Sequence, residues 1–95
     1  MGNVLADRVA IVTGGAGGIG SRIARAYTNA GAHVVIASRS QDKLDRLAVE
    51  LSASGPGALA VAADVTVPKD VSNLVDRTID TFGRLDILVN NAGGA

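Results

Sequence analysis

The sequence predicts an α/β fold in which all strands of one β-sheet run in the same direction. Along the 95 residues, short runs rich in Val and Ile alternate with longer stretches whose apolar residues recur at helical spacing. A glycine-rich turn, residues 13–20, joins the first run to the first helical stretch. Because a strand, a helix and a further strand pack as a right-handed crossover, this alternation indicates parallel strands with helices on both faces.

Four strands are predicted, each short and almost entirely apolar, as strands covered on both faces are. They are expected at residues 8–12, 33–38, 58–63 and 85–89. His33 begins the second strand at the end away from the expected ligand site. It is therefore predicted to be a strand-edge or surface residue and not a catalytic base.

Three helices are predicted between the strands. The first is expected to end at Gly31, which can take the left-handed conformation that closes a helix. The second helix should begin after Ser40, a favourable N-cap residue, and the third near Thr66 and Pro68. The third helix should cross the face of the sheet opposite the first two helices and leave much of that face uncovered. The apolar residues expected to face the sheet are Ile19, Ile23, Ala26, Tyr27 and Ala30 in the first helix, Leu44, Leu47, Ala48 and Leu51 in the second, and Val71, Leu74, Val75, Thr78 and Phe82 in the third.

The glycine turn predicts a phosphate site at the start of the first helix. Five of the seven residues 14–20 are glycine. Each glycine lowers the stability of ordered structure by roughly 0.5–1 kcal/mol relative to alanine, so their number indicates that the turn needs their backbone conformations and argues against a flexible linker. The helix start supplies unpaired N–H groups and a partial positive charge. A Walker phosphate loop is rejected because Ser21 and Arg22 follow the last glycine, where that loop needs Lys and then Ser or Thr. A dinucleotide site and a methyl-donor site both remain compatible with the turn.

Two motifs taken together resemble the short-chain dehydrogenase/reductase family. They are TGxxxGIG at residues 13–20 and NNAG at residues 90–93, after the fourth strand. The resemblance runs from about residue 5 to residue 93 and covers the opening part of that family's fold. It implies a Rossmann-type three-layer fold with sheet order 3-2-1-4, in a single partial NAD(P)-binding domain over residues 1–95 that is truncated before the later strands. Both motifs then meet at the crevice between strands one and four.

The resemblance also implies which residues contact the cofactor. In the family, the NNAG turn braces the sheet and borders the nicotinamide ribose, and Asn90 is assigned a structural part in it. Asp64 would accept a hydrogen bond from the adenine amino group, and Val65 would pack on the ring or donate its amide. Capping of the turn into the third helix is an equally weighted alternative for Asp64. The predicted cofactor-binding residues are Gly14, Gly15, Gly17, Gly18, Ile19, Gly20, Ser38, Arg39, Asp64, Val65 and Asn91.

The end of the second strand predicts NADP(H) in preference to NAD(H). An acid at this place would bind the 2′-hydroxyl of NAD, whereas Arg39 offers a planar donor fork to a 2′-phosphate, beside the Ser38 hydroxyl. The first acid is Asp42, and this also argues against a methyl donor. A solvated loop charge is the alternative for Arg39. Gly17 departs from the pattern, since many NADP-preferring relatives carry a basic residue there.

No catalytic residue is predicted in the chain. The resemblance implies hydride transfer between a nicotinamide and a carbonyl or alcohol carbon, for which the family uses a serine, a tyrosine and a lysine four residues after the tyrosine. Tyr27 is the only tyrosine and Gly31 follows it at that spacing, while Lys43 and Lys69 follow no tyrosine. Two hypotheses result. In the first, the chain is the NADP(H)-binding portion of an oxidoreductase, which by itself is inactive and binds NADPH weakly if at all. In the second, it is a non-catalytic nucleotide-binding fragment or a remnant of a decayed gene.

Composition limits the partners that can be expected. Nine basic and nine acidic residues give zero net charge, and Tyr27 and Phe82 are the aromatic residues, which argues against nucleic acid binding. Without cysteine there is no thiolate metal site, and no metal is expected. The sequence has neither a signal peptide pattern nor an apolar run of membrane-spanning length, so a cytoplasmic protein is expected. A full-length form should act on a small carbonyl or alcohol and should form an oligomer.

Overall fold

The structure is a computed structural model that describes residues 4–14 and 17–91. Four strands form one parallel sheet in the order β3-β2-β1-β4, which confirms the predicted order. The elements along the chain are β1 (Val9–Thr13), α1 (Gly18–Asn29), β2 (His33–Ser38), α2 (Gln41–Ser54), β3 (Ala58–Ala62), α3 (Pro68–Phe82) and β4 (Ile87–Asn90).

The strand boundaries depart from the prediction by one or two residues. β1 and β4 each extend one residue further toward the carboxyl end, because Thr13 continues the pairing with both Ala37 and Asn90. β4 also begins two residues later than expected, at Ile87, where its pairing with β1 starts. β3 ends one residue earlier than expected. The register between strands sets these ends, and the apolar runs alone do not show it.

Two apolar clusters cover the two faces of the sheet. β1 is buried along its whole length, as expected for a strand covered on both faces. The cluster under α1 and α2 contains Val12, Ala24, Ala32, Val34, Ile36, Leu44, Leu47 and Leu51. The cluster under α3 on the other face contains Ile11, Val35, Ala37, Val61 and Leu74. The predicted inner face of α2 is confirmed in this arrangement.

α1 packs through a narrower face than the predicted apolar stripe. The buried positions of the helix are Gly20, Ala24 and Thr28. Ile19 is 68% exposed and Ala26 is also exposed, so both are wrongly placed by the prediction. Small residues at a spacing of four allow the helix backbone to approach the sheet closely, and the larger neighbours are displaced to the flanks.

α3 also turns a different face to the sheet than predicted. Leu74 and Thr78 are buried, whereas Val71 and Val75 are each 37% exposed and Phe82 is half-buried. The helix begins at Pro68 with Val67 as its N-cap residue. Thr66 is not the cap, because its N–H group and its hydroxyl both donate to the side chain of Asp64. The expected bare part of the sheet lies at β4, where Leu88 is 63% exposed.

The end of α1 and the start of α2 lie where the sequence predicted them, but only the first has the predicted local conformation. Gly31 has a φ of 98° just after α1, which is the left-handed conformation expected of it. Ser40 precedes α2 as predicted, but its side chain makes no capping hydrogen bond. His33 is the first residue of β2, half-buried, and its ring centroid lies 4.8 Å from that of Phe82, so of its two predicted places the strand end is correct and the open surface is not.

A carboxylate joins β1 to β4 at the end of the sheet opposite the glycine turn. Asp86 Oδ2 accepts hydrogen bonds from Val9 N at 2.9 Å and from Arg84 Nε at 2.9 Å, and Oδ1 accepts one from Arg84 Nη2 at 2.8 Å. Arg8 Nη1 lies 3.6 Å from Oδ1. The Arg84 guanidinium, followed by the Val9 N–H group, lowers the pKa of Asp86 from 3.8 to about 2.

We expect Asp86→Asn to lower the thermal unfolding temperature at pH 7 and to flatten its dependence on pH between 4 and 2. The pKa of Asp86 is lower in the folded chain than its ordinary value. The ionised group therefore stabilises the fold fully above pH 3.8, and this contribution is lost as the pH falls through about 2. Circular dichroism melts across this range measure the effect. Asp76→Asn, at an exposed position of α3, is the control, and parallel pH curves for wild type and Asp86→Asn would contradict the prediction.

Within residues 4–14 and 17–91, no helix combines the length and the hydropathy needed to cross a bilayer. The described part of the chain also contains no group of three or more His, Asp or Glu side chains arranged to hold a metal ion.

Candidate cofactor-binding site

A cavity of about 410 Å³ opens at the carboxyl ends of β1, β2 and β3. This is the edge of a parallel sheet at which loops lead into helix starts and ligands bind. The cavity brings together five of the predicted cofactor-binding residues. Its lining residues are Gly14, Ala37, Ser38, Arg39, Ser40, Ala63, Asp64, Val65 and Thr66.

The glycine turn leaves β1 with a left-handed residue and enters α1 almost at once. Gly14 has a φ of 67°, a conformation that favours glycine, and its N–H donates to the Ala37 carbonyl at 2.7 Å. Gly17 is the N-cap residue of α1, and its N–H donates to the Gly14 carbonyl at 3.1 Å. The predicted contact Gly15 lies outside the described residues, as does Ala16.

The start of α1 has the properties of an anion site. Gly17, Gly18 and Ile19 are exposed, whereas Gly20 is buried against the sheet. No acidic residue occurs in the first turn of the helix, so no side chain of that turn offsets its positive end. The free N–H groups of such a turn can bind a phosphate.

The loop after β2 has one fixed and one exposed polar side chain. Ser38 is half-buried, and its Oγ accepts a hydrogen bond from Ser40 N at 3.1 Å. Arg39 is exposed on the cavity wall, and none of the ion pairs formed by the described residues includes it. The guanidinium of Arg39 is therefore available to a ligand in the cavity.

Asp64 has the capping role that was one of its two predicted roles, and it also lines the cavity, whereas its contact with adenine stays a prediction. Its Oδ1 accepts hydrogen bonds from Thr66 N at 2.9 Å and from Thr66 Oγ1 at 2.6 Å. The Thr66 hydroxyl, then the Thr66 N–H group, lowers the pKa of Asp64, and the positive charge of Arg39 also lowers it. Asp64 is thus a carboxylate at neutral pH. The part played by Thr66 was missed at the level of sequence, where a hydroxyl two residues after Asp is the available signal.

A hydroxyl group joins the carboxyl ends of β1 and β4. Thr13 Oγ1 accepts a hydrogen bond from Asn91 N at 2.9 Å, and it lies 3.2 Å from the Val89 carbonyl and 3.3 Å from Asn90 Oδ1, to which it can donate. The two motifs are therefore in direct contact at the crevice between these strands. Ala92 and Gly93 lie outside the described residues. No contact of Thr13 was predicted from the sequence.

Some of the predicted cofactor-binding residues line the 410 Å³ cavity and others do not. Asn91, Gly17, Gly18, Ile19 and Gly20 do not line the 410 Å³ cavity. A second space of about 240 Å³ lies beside β1, β4 and α3, and its polar lining side chains belong to Thr13 and Asn90. Val65 lines both spaces, so the loop after β3 separates the first from the second.

Comparison with known proteins identifies the arrangement. The sequence profile of the short chain dehydrogenases matches residues 8–95. The chain belongs to the short-chain dehydrogenase family. Its parallel sheet, its order and its helices are therefore those of a Rossmann-type member of this family, and the recognition made from the two motifs is confirmed.

Members of the short-chain dehydrogenase family with close sequences include oxidoreductases of several kinds. An uncharacterized oxidoreductase of Mycobacterium tuberculosis is 47% identical over 90 residues, covering 95% of this chain and 34% of that protein. The peroxisomal 2,4-dienoyl-CoA reductase of Danio rerio is 46% identical over 93 residues, covering 97% of this chain and 31% of that protein. The chain thus spans about a third of the length of these relatives.

A solved structure gives the same result for the fold. The crystal structure of a hydroxysteroid dehydrogenase from Escherichia coli superposes with a TM-score of 0.90 at 40% sequence identity. The match covers 95% of this chain and 37% of that one. The short-chain dehydrogenase fold is therefore shared over nearly the whole of this chain.

Proposed function

We propose that this chain is the NADP(H)-binding portion of a short-chain dehydrogenase that transfers hydride between the nicotinamide and a small carbonyl or alcohol substrate. The observation that carries the proposal is the cavity wall at the end of β2. There the exposed Arg39, unpaired within the described part of the chain, faces the same space as Gly14 and Asp64. No acid that would bind a ribose 2′-hydroxyl stands between Ser38 and Gln41.

Each part of the cofactor has a matching group in this chain. The N–H groups at the start of α1 would bind the pyrophosphate. Arg39 and Ser38 would bind the 2′-phosphate, since a guanidinium donates two parallel hydrogen bonds to phosphate oxygens. Asp64 and Val65 would border the adenine, and Asn91 the nicotinamide ribose. When bound, the nicotinamide supplies or accepts the hydride.

The residues of this chain do not supply the proton transfer that the family's reaction needs. Tyr27 is a half-buried residue that packs against the cluster under α1 and α2, and Gly31 stands four residues after it. We propose that the chain by itself binds NADP(H) weakly and reduces no carbonyl. The same proposal gives residues 1–95 as a single partial NAD(P)-binding domain, and it gives the full-length form a cytoplasmic location and an oligomeric state.

The alternative is a non-catalytic nucleotide-binding fragment, or a remnant of a decayed gene. The absence of a tyrosine followed four residues later by lysine in these 95 residues is compatible with it. The intact mass of the native protein, detected with an antibody against residues 41–57, separates the two. A species well above 9.5 kDa supports the first proposal, and one at 9.5 kDa supports the alternative.

We expect Arg39→Ala to weaken NADPH binding by about 10-fold to 100-fold, because a hydrogen bond to a charged group contributes roughly 1.5–3 kcal/mol. NADH lacks the 2′-phosphate, so its binding should change little. Titrations followed by backbone amide NMR signals read both affinities, including weak ones.

The matched control is Arg46→Ala, which removes an exposed arginine of α2 that does not line the cavity. Both variants should unfold at the wild-type temperature, since neither arginine is buried. Equal losses of NADPH and NADH affinity in Arg39→Ala would contradict the assignment of the 2′-phosphate to Arg39. No saturable binding of either cofactor to the wild-type chain would contradict the proposed function itself.

A further inference from the structure

The loop between β3 and α3 holds a carboxylate through one of its two oxygen atoms. Both hydrogen bonds that Thr66 donates, from its N–H group at 2.9 Å and its hydroxyl at 2.6 Å, end on Oδ1 of Asp64. Within the described residues no group donates to Oδ2. Because Asp64 and Thr66 both line the 410 Å³ cavity, Oδ2 is the oxygen left for a ligand there.

The backbone of the same loop is fixed on both sides of Asp64. The Asp64 N–H group donates to Asp70 Oδ2 at 2.9 Å, and the Asp64 carbonyl accepts from Val67 N at 3.0 Å. The next donor along the chain is the Val65 N–H group, which donates to no other described residue. The loop therefore presents an acceptor, Asp64 Oδ2, and a donor, Val65 N–H, next to each other in sequence.

A neighbouring acceptor and donor match one purine edge and conflict with another. Adenine offers an amino group at C6 and an acceptor nitrogen at N1. Hypoxanthine offers a carbonyl oxygen at C6 and an N–H group at N1, which is the opposite order. A carboxylate oxygen next to the hypoxanthine carbonyl would set two acceptors against each other, and an acceptor without a donor is costly once water is displaced.

We propose that Thr66 is the positioning residue for purine recognition: by occupying Oδ1, it holds the Asp64 carboxylate so that Oδ2 accepts from the adenine amino group. This inference rests on the proposed function, in which the cavity takes the adenine end of NADP(H). Without the Thr66 hydroxyl, the carboxylate would have to be ordered by the ligand. Ordering a group on binding reduces the affinity gained from the contact.

The charge state of Asp64 agrees with an acceptor role. The Thr66 hydroxyl is the largest cause of the lowered pKa of Asp64, so its removal moves that pKa back toward 3.8. A protonated carboxyl would no longer offer two acceptor oxygens. Discrimination between the two purines should therefore decline as the pH falls, and it should decline at a higher pH when the hydroxyl is absent.

The test compares NADPH with reduced nicotinamide hypoxanthine dinucleotide phosphate on the 95-residue chain. We expect the wild type to bind NADPH about tenfold more tightly than the hypoxanthine analogue, the contribution of one hydrogen bond to a charged group. Thr66→Val keeps the shape and removes the hydroxyl, and should reduce this ratio to about twofold. Thr66→Ser restores the hydroxyl and should restore the ratio. Thr81→Val, the same change at an exposed position of α3, is the matched control.

The ratio of the two affinities separates positioning from a purely structural role. If Thr66→Val weakens both nucleotides equally, or lowers only the unfolding temperature, the inference is wrong. A wild-type chain that binds both nucleotides equally also overturns it, while leaving NADP(H) binding intact. A wild-type chain that saturates with neither overturns the proposed function and this inference together.

Discussion

Gly18→Leu is expected to abolish NADP(H) binding and to leave the chain folded. Gly18 is exposed at the first position of α1, and a Cβ atom placed on it would meet no described heavy atom within 4 Å. Glycine is about 0.8–1 kcal/mol less favourable than alanine in helix interiors, and leucine ranks among the good helix formers, so stability should not fall. A leucine side chain would instead occupy the space through which a phosphate reaches the N–H groups of the first turn.

The expected loss of affinity is on the order of 100-fold or more, since two or more hydrogen bonds to a charged phosphate are lost. NADPH titrations read by amide NMR signals, together with thermal melts, measure binding and folding separately. Ala26→Leu places the same side chain on an exposed position of α1, away from its start, and should bind like the wild type. Wild-type affinity in Gly18→Leu would mean that this helix start does not bind the phosphates.

Gly55→Ala is expected to destabilise the fold by about 2 kcal/mol, within the range of about 1–3 kcal/mol found for overpacked sites. Gly55 has an extended backbone, with φ of −154° and ψ of −168°, which alanine can adopt without strain. The new Cβ atom would overlap Thr28 Cγ2 and lie 3.1 Å from the Thr28 carbonyl oxygen. Thr28 is 2% exposed, so α1 would have to move away from this loop.

Urea unfolding of the single and double variants measures this effect. Thr28→Ala removes Cγ2 and with it a buried hydroxyl that has no hydrogen-bond partner among the described residues. It should therefore be nearly neutral by itself and should recover about half of the stability lost in Gly55→Ala, giving a coupling of about 1 kcal/mol between the two positions. Additive effects, or a Gly55→Ala chain as stable as the wild type, would contradict the close contact.

The order of elements was predictable because each signal is local. Alternating apolar runs and helical stripes located all seven elements, and Gly31 marked the end of α1 through its positive φ. The sheet order followed from the motifs and the resemblance they carry. The meeting of Arg39 and Asp64 at one cavity was predictable for the same reason, since Arg39 follows β2 directly, Asp64 lies two residues after β3, and the ends of parallel strands meet at one edge.

The inner faces of two helices were not predictable in the same way. Periodicity assigned Ile19 to the buried face of α1 and Val71 to that of α3, and both are exposed. Hydrophobicity alone ranks large apolar residues as buried, but a helix that lies close to a sheet needs small residues at the contact. Gly20 and Ala24 meet that need. Their spacing of four residues is visible in the sequence, but it was not used to assign the buried face.

The sequence by itself determined the class of fold, the places of the strands and helices, and the turn that can hold a phosphate. Tertiary structure alone decided which groups meet across the chain: Thr13 with Asn91, Val9 with Asp86, and Thr28 with Gly55. The physical reason is range. Propensity, periodicity and glycine conformation act over a few residues, whereas a hydrogen bond between positions 77 or 78 residues apart depends on the register of strands that no local pattern encodes.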